Sequence, residues 1–151
     1  HQHWHLDMPR LPAGGVPGVQ IFACLDTVEP GGGGTLAVTG SHRLLNERVR
    51  ISSGDLRKRL MKERYFAELM SNKRDDRLRF LREVGHMGNV ALQVVEVTGE
   101  AGDVYFMDLR VLHTVAPHVN PTLSPGIVTD CTPWKISALS VIRKNANCDS
   151  S

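Results

Sequence analysis

The amino-acid sequence predicts a mainly β protein, an antiparallel double-sheet jelly roll with a helical insertion around residues 53–84. Three observations predict it. Six or so short apolar runs are bounded by Gly and Pro turns, one stretch changes to helical spacing, and most successive strands lack the intervening helix that a doubly wound parallel sheet needs. With 151 residues of which 41% are hydrophobic, the chain is long enough to bury one core of its own. A single domain over residues 1–143 and a flexible polar tail over 144–151 are expected.

The first segment, His1 to Asp7, alternates like a strand. The chain is therefore expected to start inside a longer polypeptide, truncated at its N-terminus. A Pro- and Gly-rich loop from Pro9 to Gly18 precedes Val19–Leu25, a short apolar run that reads as a buried strand. The Pro30–Gly34 turn leads into a second strand at Thr35–Thr39, and the two are expected to pair as neighbours. Ser52 or Ser53 can cap a helix with Asp55 in its first turn and Leu56, Leu60, Ala67 and Met70 along its apolar face. A second helical stretch is expected from Asp75 to Val84 with Leu78 and Leu81 inward, ended by Gly85 and Gly88. Strands at Val90–Val97, Val104–Met107, Val111–Val115 and Ile136–Arg143 complete the chain.

Net charge is only +2, but 13 of the 18 basic and 7 of the 16 acidic residues fall between Arg43 and Glu83. A solvated basic helical face is the first reading of that excess, and attraction of an anionic substrate or partner the second. Nucleic acid is not expected as a partner, because aromatics are few and no finger, RRM or KH signature is present. No apolar run is long enough to span a bilayer, and the first residues do not read as a secretory signal. Cys24, Cys131 and Cys148 form no C-x-x-C pair and leave one unmatched, so a reducing, intracellular and by default cytoplasmic setting is expected.

Chemistry concentrates in His5-Leu6-Asp7. On an extended strand, residues two apart share a face, so an imidazole and a carboxylate at this spacing can converge on one ion. A tripeptide of this kind arises often by chance and needs a third ligand from a later strand. His113 closes an apolar run and can supply it; the alternative is a core histidine satisfied by a backbone carbonyl. Two histidines and one carboxylate form the facial set that suits non-haem Fe(II) and leaves positions open.

Taken in order, Trp4-His5-Leu6-Asp7, Gly33-Gly34-Thr35 through Gly40-Ser41-His42-Arg43, and Gly102-Asp103 leading to Leu112-His113-Thr114-Val115-Ala116-Pro117 resemble the successive signatures of the phytanoyl-CoA dioxygenase family. The resemblance implies a double-stranded β-helix and an Fe(II)- and 2-oxoglutarate-dependent oxygenase that hydroxylates a small-molecule or lipid-like substrate. It also implies iron held by His5, Asp7 and His113, with His42 in the turn and not on the metal. The carboxylate at Asp7 argues against halogenation, since halogenating relatives have a small residue there.

One position departs from that pattern. The family places an arginine ten or eleven residues after the distal histidine to clamp 2-oxoglutarate, and here those positions are Leu123 and Ser124. Another cation such as Lys135 or Arg143 reaches the pocket, or a different cosubstrate is bound, or activity has been lost. Thr35, Lys135 and Arg143 are the candidates for cosubstrate contacts, while alternation turns Arg110 away from the face of His113. The alternative function is a catalytically degenerate or cupin-like jelly roll that binds a metal or ligand without turnover. A missing N-terminal segment would leave an incomplete apolar edge open to self-association.

Overall fold

The computed structural model describes residues 3–7, 18–45, 52–71, 78–117, 127–132 and 140–142. In chain order the elements are β1 (Val19–Cys24), β2 (Thr35–Thr39), α1 (Ser41–Leu44), α2 (Ser53–Leu60), α3 (Arg64–Leu69), α4 (Arg79–Arg82), β3 (Gly85–Met87), β4 (Val90–Val97), β5 (Val104–Asp108), β6 (His113–Val115), β7 (Ile127–Thr132) and β8 (Ser140–Ile142). The tail from residue 144 and much of the expected last strand lie outside the described residues.

Two four-stranded antiparallel sheets result, ordered β7-β1-β5-β8 and β3-β4-β2-β6. β1 and β2 do not pair as the sequence suggests. Each strand instead sits inside a different sheet, β1 between β5 and β7, β2 between β4 and β6. The connection between them explains this, because its polar groups are taken up by the far end of β4. Val28 and Gly99 exchange hydrogen bonds of 2.7 and 3.0 Å, and the Glu96 carboxylate accepts from the Gly31 N–H at 3.0 and 3.1 Å. Gly34 passes so close that a Cβ would lie 2.5 Å from the Val97 carbonyl oxygen.

Side-chain alternation then builds two apolar clusters on opposite faces of the second sheet. Leu36, Val38, Val90, Leu92 and Val94 face the helices, meeting Leu56, Leu60, Phe66, Leu69, Met70 and Phe80. Ala37 and Val97 face the other way and meet Phe22, Cys24, Tyr105 and Met107 from the first sheet. This double burial is why β2 is buried at four of its five positions.

The sheets remain open. β7 and β8 are the free edges of one sheet, β3 and β6 of the other, and no ladder joins the two sheets among the described residues. Three of those edges, β3, β6 and β8, are only three residues long, too short to carry a ladder around the seam. The expected jelly roll, cupin-like or double-stranded β-helix, is therefore corrected to two open antiparallel sheets accompanied by short helices.

The helical region is broken more than its spacing suggests. The Ser52 hydroxyl caps α2 by accepting from the Asp55 N–H at 3.1 Å. The helix ends at Leu60, and α3 begins after a turn at 61–63. Leu78 is 65% exposed, contrary to expectation, because α4 is a single turn that buries Phe80 in its place. Arg57, Lys58, Arg59, Lys62 and Arg64 are all exposed, the solvated basic face of the first reading. No helix among the described residues is long and apolar enough to cross a membrane.

Candidate metal centre

Alternation in the first segment separates its two kinds of residue. Trp4 and Leu6 are buried in the helix-side cluster, which leaves His3, His5 and Asp7 for the opposite face. His5 is fixed against the start of β6 by a reciprocal pair of backbone hydrogen bonds, His5 N–H to the His113 carbonyl at 2.9 Å and His113 N–H to the His5 carbonyl at 3.1 Å. Their rings consequently stand side by side, with centroids 4.5 Å apart. On the far side of His113 the Phe22 ring meets the imidazole edge-on at 6.2 Å.

The structure thus brings together His5, Asp7 and His113, whose ligand atoms all lie within 4.8 Å of one another. Nε2 of His5 is 3.3 Å from Asp7 Oδ1, and Nε2 of His113 is 3.4 Å from Asp7 Oδ2. Ligand atoms held at about 2.1 Å from one ion are separated by about 3.0–3.4 Å in octahedral or tetrahedral geometry, a spacing that the two nitrogen–oxygen distances match, each to its own oxygen of Asp7. His113 is buried, His5 half-buried and Asp7 exposed, which closes the centre on one side and leaves it accessible on the other.

Hydrogen bonding at the outer ring nitrogens decides which atoms face inward. His5 Nδ1 lies 2.7 Å from the His3 carbonyl and His113 Nδ1 2.9 Å from the Val111 carbonyl. A carbonyl can only accept, so Nδ1 carries a proton in both rings and each Nε2 is turned toward the carboxylate. Burial lowers the pKa of His113, only partly offset by the Val111 carbonyl and the Asp7 charge, which favours the neutral imidazole a metal requires. A ligating histidine tied back through its other nitrogen is the usual support of a metal centre. Two imidazoles tied back through Nδ1 and a carboxylate beside both Nε2 atoms fit a metal ion.

Three buried polar groups are not expected as site residues from the sequence. Gln20, in the otherwise apolar β1, donates from Nε2 to Asp7 Oδ2. Its signal was available, a lone polar residue on the same face as Phe22 and Cys24. Ser41, fully buried, donates to the Val38 carbonyl at 2.7 Å and accepts from the Leu112 N–H at 2.9 Å, tying the glycine-serine-histidine turn to the residue before His113. Gly40 permits this approach with φ of 81°, where a Cβ would sit 2.2 Å from the Ala91 carbonyl oxygen. The Asp108 carboxylate is buried beside Arg110, accepting from its Nε at 2.9 Å and its backbone N–H at 2.8 Å.

Other candidates fall elsewhere. His42 is not part of the cluster; burial lowers its pKa and Nδ1 has no hydrogen-bond partner. Thr35 is buried on β2 opposite Val97 and Val115. Residues 109–112 form a turn instead of the start of a strand, and Arg110 is engaged there by Asp108. Lys135 and Arg143 lie outside the described residues. Cys24 is buried, and burial together with Asp103 pushes its thiol pKa up, which disfavours a nucleophilic role.

No family model, curated protein or solved structure matches the chain. Membership of the phytanoyl-CoA dioxygenase family, expected from the short motifs, is corrected accordingly. The Fe(II)- and 2-oxoglutarate-dependent hydroxylase and its degenerate or cupin-like alternative both required a double-stranded β-helix, which the two open sheets do not provide. What stands is a His5–Asp7–His113 cluster able to chelate a metal ion.

Proposed function

We propose that this protein binds one divalent transition-metal ion through Nε2 of His5, a carboxylate oxygen of Asp7 and Nε2 of His113. The observation that carries the reading is the pair of Nδ1–carbonyl hydrogen bonds that turns both Nε2 atoms toward one carboxylate. Fe(II) is the ion we assign, because two imidazoles and a carboxylate on one side of the metal suit it and leave coordination positions open. Bound there, it would act as a Lewis acid toward a small chelating ligand, and 2-oxoglutarate is the acid to test. The exposed side of Asp7 is the route by which such a ligand enters.

Anaerobic titration calorimetry with Fe(II) tests the reading. One ion per chain is expected for the unaltered protein, with binding lost in His113→Ala and retained in His42→Ala. Equal binding by the unaltered protein and His113→Ala, or no binding by either, would overturn it. A 2-oxo acid chelate would add a weak visible charge-transfer band on addition of 2-oxoglutarate to the Fe(II) form.

A further inference from the structure

Gln20 is 2% exposed, and its neighbours across the sheet are Met107 on β5 and Cys131 on β7. A polar side chain at such a position has to satisfy both ends of its amide. One end does so against Asp7 Oδ2, and that end must be the NH2 group, because reversing the amide would set its oxygen against a carboxylate. The other end, Oε1, is buried and has no hydrogen-bond partner. Leaving an amide oxygen in that state costs stability, and an apolar residue would fill the same space without the penalty. Nothing in the packing of Phe22 and Cys24 on the same face of β1 asks for an amide. The missing partner must be a donor, and a hydrated cation held by Asp7 would bring one.

We propose that Gln20 is a positioning residue of the metal centre, its amide N–H holding Oδ2 so that Asp7 presents Oδ1 to the ion, while its Oε1 accepts from a water or other O–H or N–H donor on that ion. This rests on the metal-binding reading above. It assigns Gln20 two effects, orientation of a ligand and selection of what occupies an open coordination position.

Co(II), which suits the same N and O donors and reports its coordination through visible absorption, is the probe. Titrations are run on the full chain for the unaltered protein, Gln20→Met, Gln20→Asn and His113→Ala, with circular dichroism identifying the folded variants. Gln20→Met keeps the unbranched shape and removes both hydrogen bonds; Gln20→Asn keeps the amide and shortens its reach. A folded Gln20 variant should bind Co(II) about 10–100-fold more weakly, the usual effect of losing an outer-shell partner, and should show an altered absorption band. Were the folded Gln20 variants to match the unaltered protein within about twofold with the same band, the positioning role would be wrong and the metal site would stand. Absence of Co(II) binding by the unaltered protein, or equal binding by His113→Ala, would instead remove the metal site itself.

Discussion

At the scale of single residues, the groups that set this molecule apart are polar side chains placed where apolar ones would pack. Asp108, at 2% exposure, is the buried carboxylate among them. Burial pushes its pKa up, but the hydrogen bonds and charge of Arg110 outweigh that and hold it below the ordinary carboxylate value. A depressed folded-state pKa means stability that is present above the unfolded value of about 3.9 and is lost as pH falls through the folded one. In Arg110→Met the carboxylate is left buried and unpaired, at a cost of about 3–5 kcal/mol near pH 7. Burial then acts on the carboxylate with the side-chain hydrogen bonds and charge of Arg110 gone and only the backbone N–H of residue 110 still donating to it, so the variant gains stability relative to the unaltered protein as acid protonates the group. Urea denaturation at pH 7 and pH 4 should show the gap between the two proteins narrowing at the lower pH; a constant gap would mean that Asp108 carries no such charge. The legibility of residues follows the same physics. His5, Asp7 and His113 could be singled out because their types and parity suit a metal. Ser41 and Asp108 could not, since their importance comes from burial by distant strands, and Gln20 offered only its polarity on an apolar strand.

At the scale of elements, the strands at 19–24, 35–39 and 90–97 were readable because short apolar runs between turn residues leave few other conformations. Their partners were not readable. Register and sheet membership depend on contacts between segments as far apart as β1 and β7, and the glycine turn gave no local sign that it crosses from one sheet to the other. The break in the helices at 61–63 was equally hidden, since the apolar spacing continues across it. Ser41 shows how one element depends on another. Its hydroxyl satisfies both the Val38 carbonyl and the Leu112 N–H, so α1 acts as a clamp between the end of β2 and the start of β6. Ser41→Ala orphans that buried N–H and should destabilise the fold by about 1–3 kcal/mol in urea denaturation. A loss under about 0.5 kcal/mol, the ordinary range for surface changes, would show that the clamp is dispensable.

At the scale of the whole molecule, the His5–Asp7–His113 cluster joins parts of the chain that are far apart in sequence. His5 and Asp7 belong to a segment anchored by Trp4 and Leu6 in one cluster, whereas His113 begins an edge strand more than a hundred residues later and Gln20 comes from the opposite sheet. In the unfolded chain His113 is far from His5 and Asp7, so an ion that uses all three ligands binds the folded state alone and stabilises it by mass action. With free metal at one hundred times its dissociation constant the gain is about 2.7 kcal/mol. For a chain of this length each kcal/mol moves the melting temperature by about 2–4 °C, so a rise of about 5–11 °C is expected on adding Co(II) to metal-free protein. His113→Ala should melt at a temperature that Co(II) does not change, and a chelator should reverse the shift in the unaltered protein. A melting temperature indifferent to the ion in both proteins would mean that the two ends of the cluster are held by backbone pairing and packing alone, with no metal completing them.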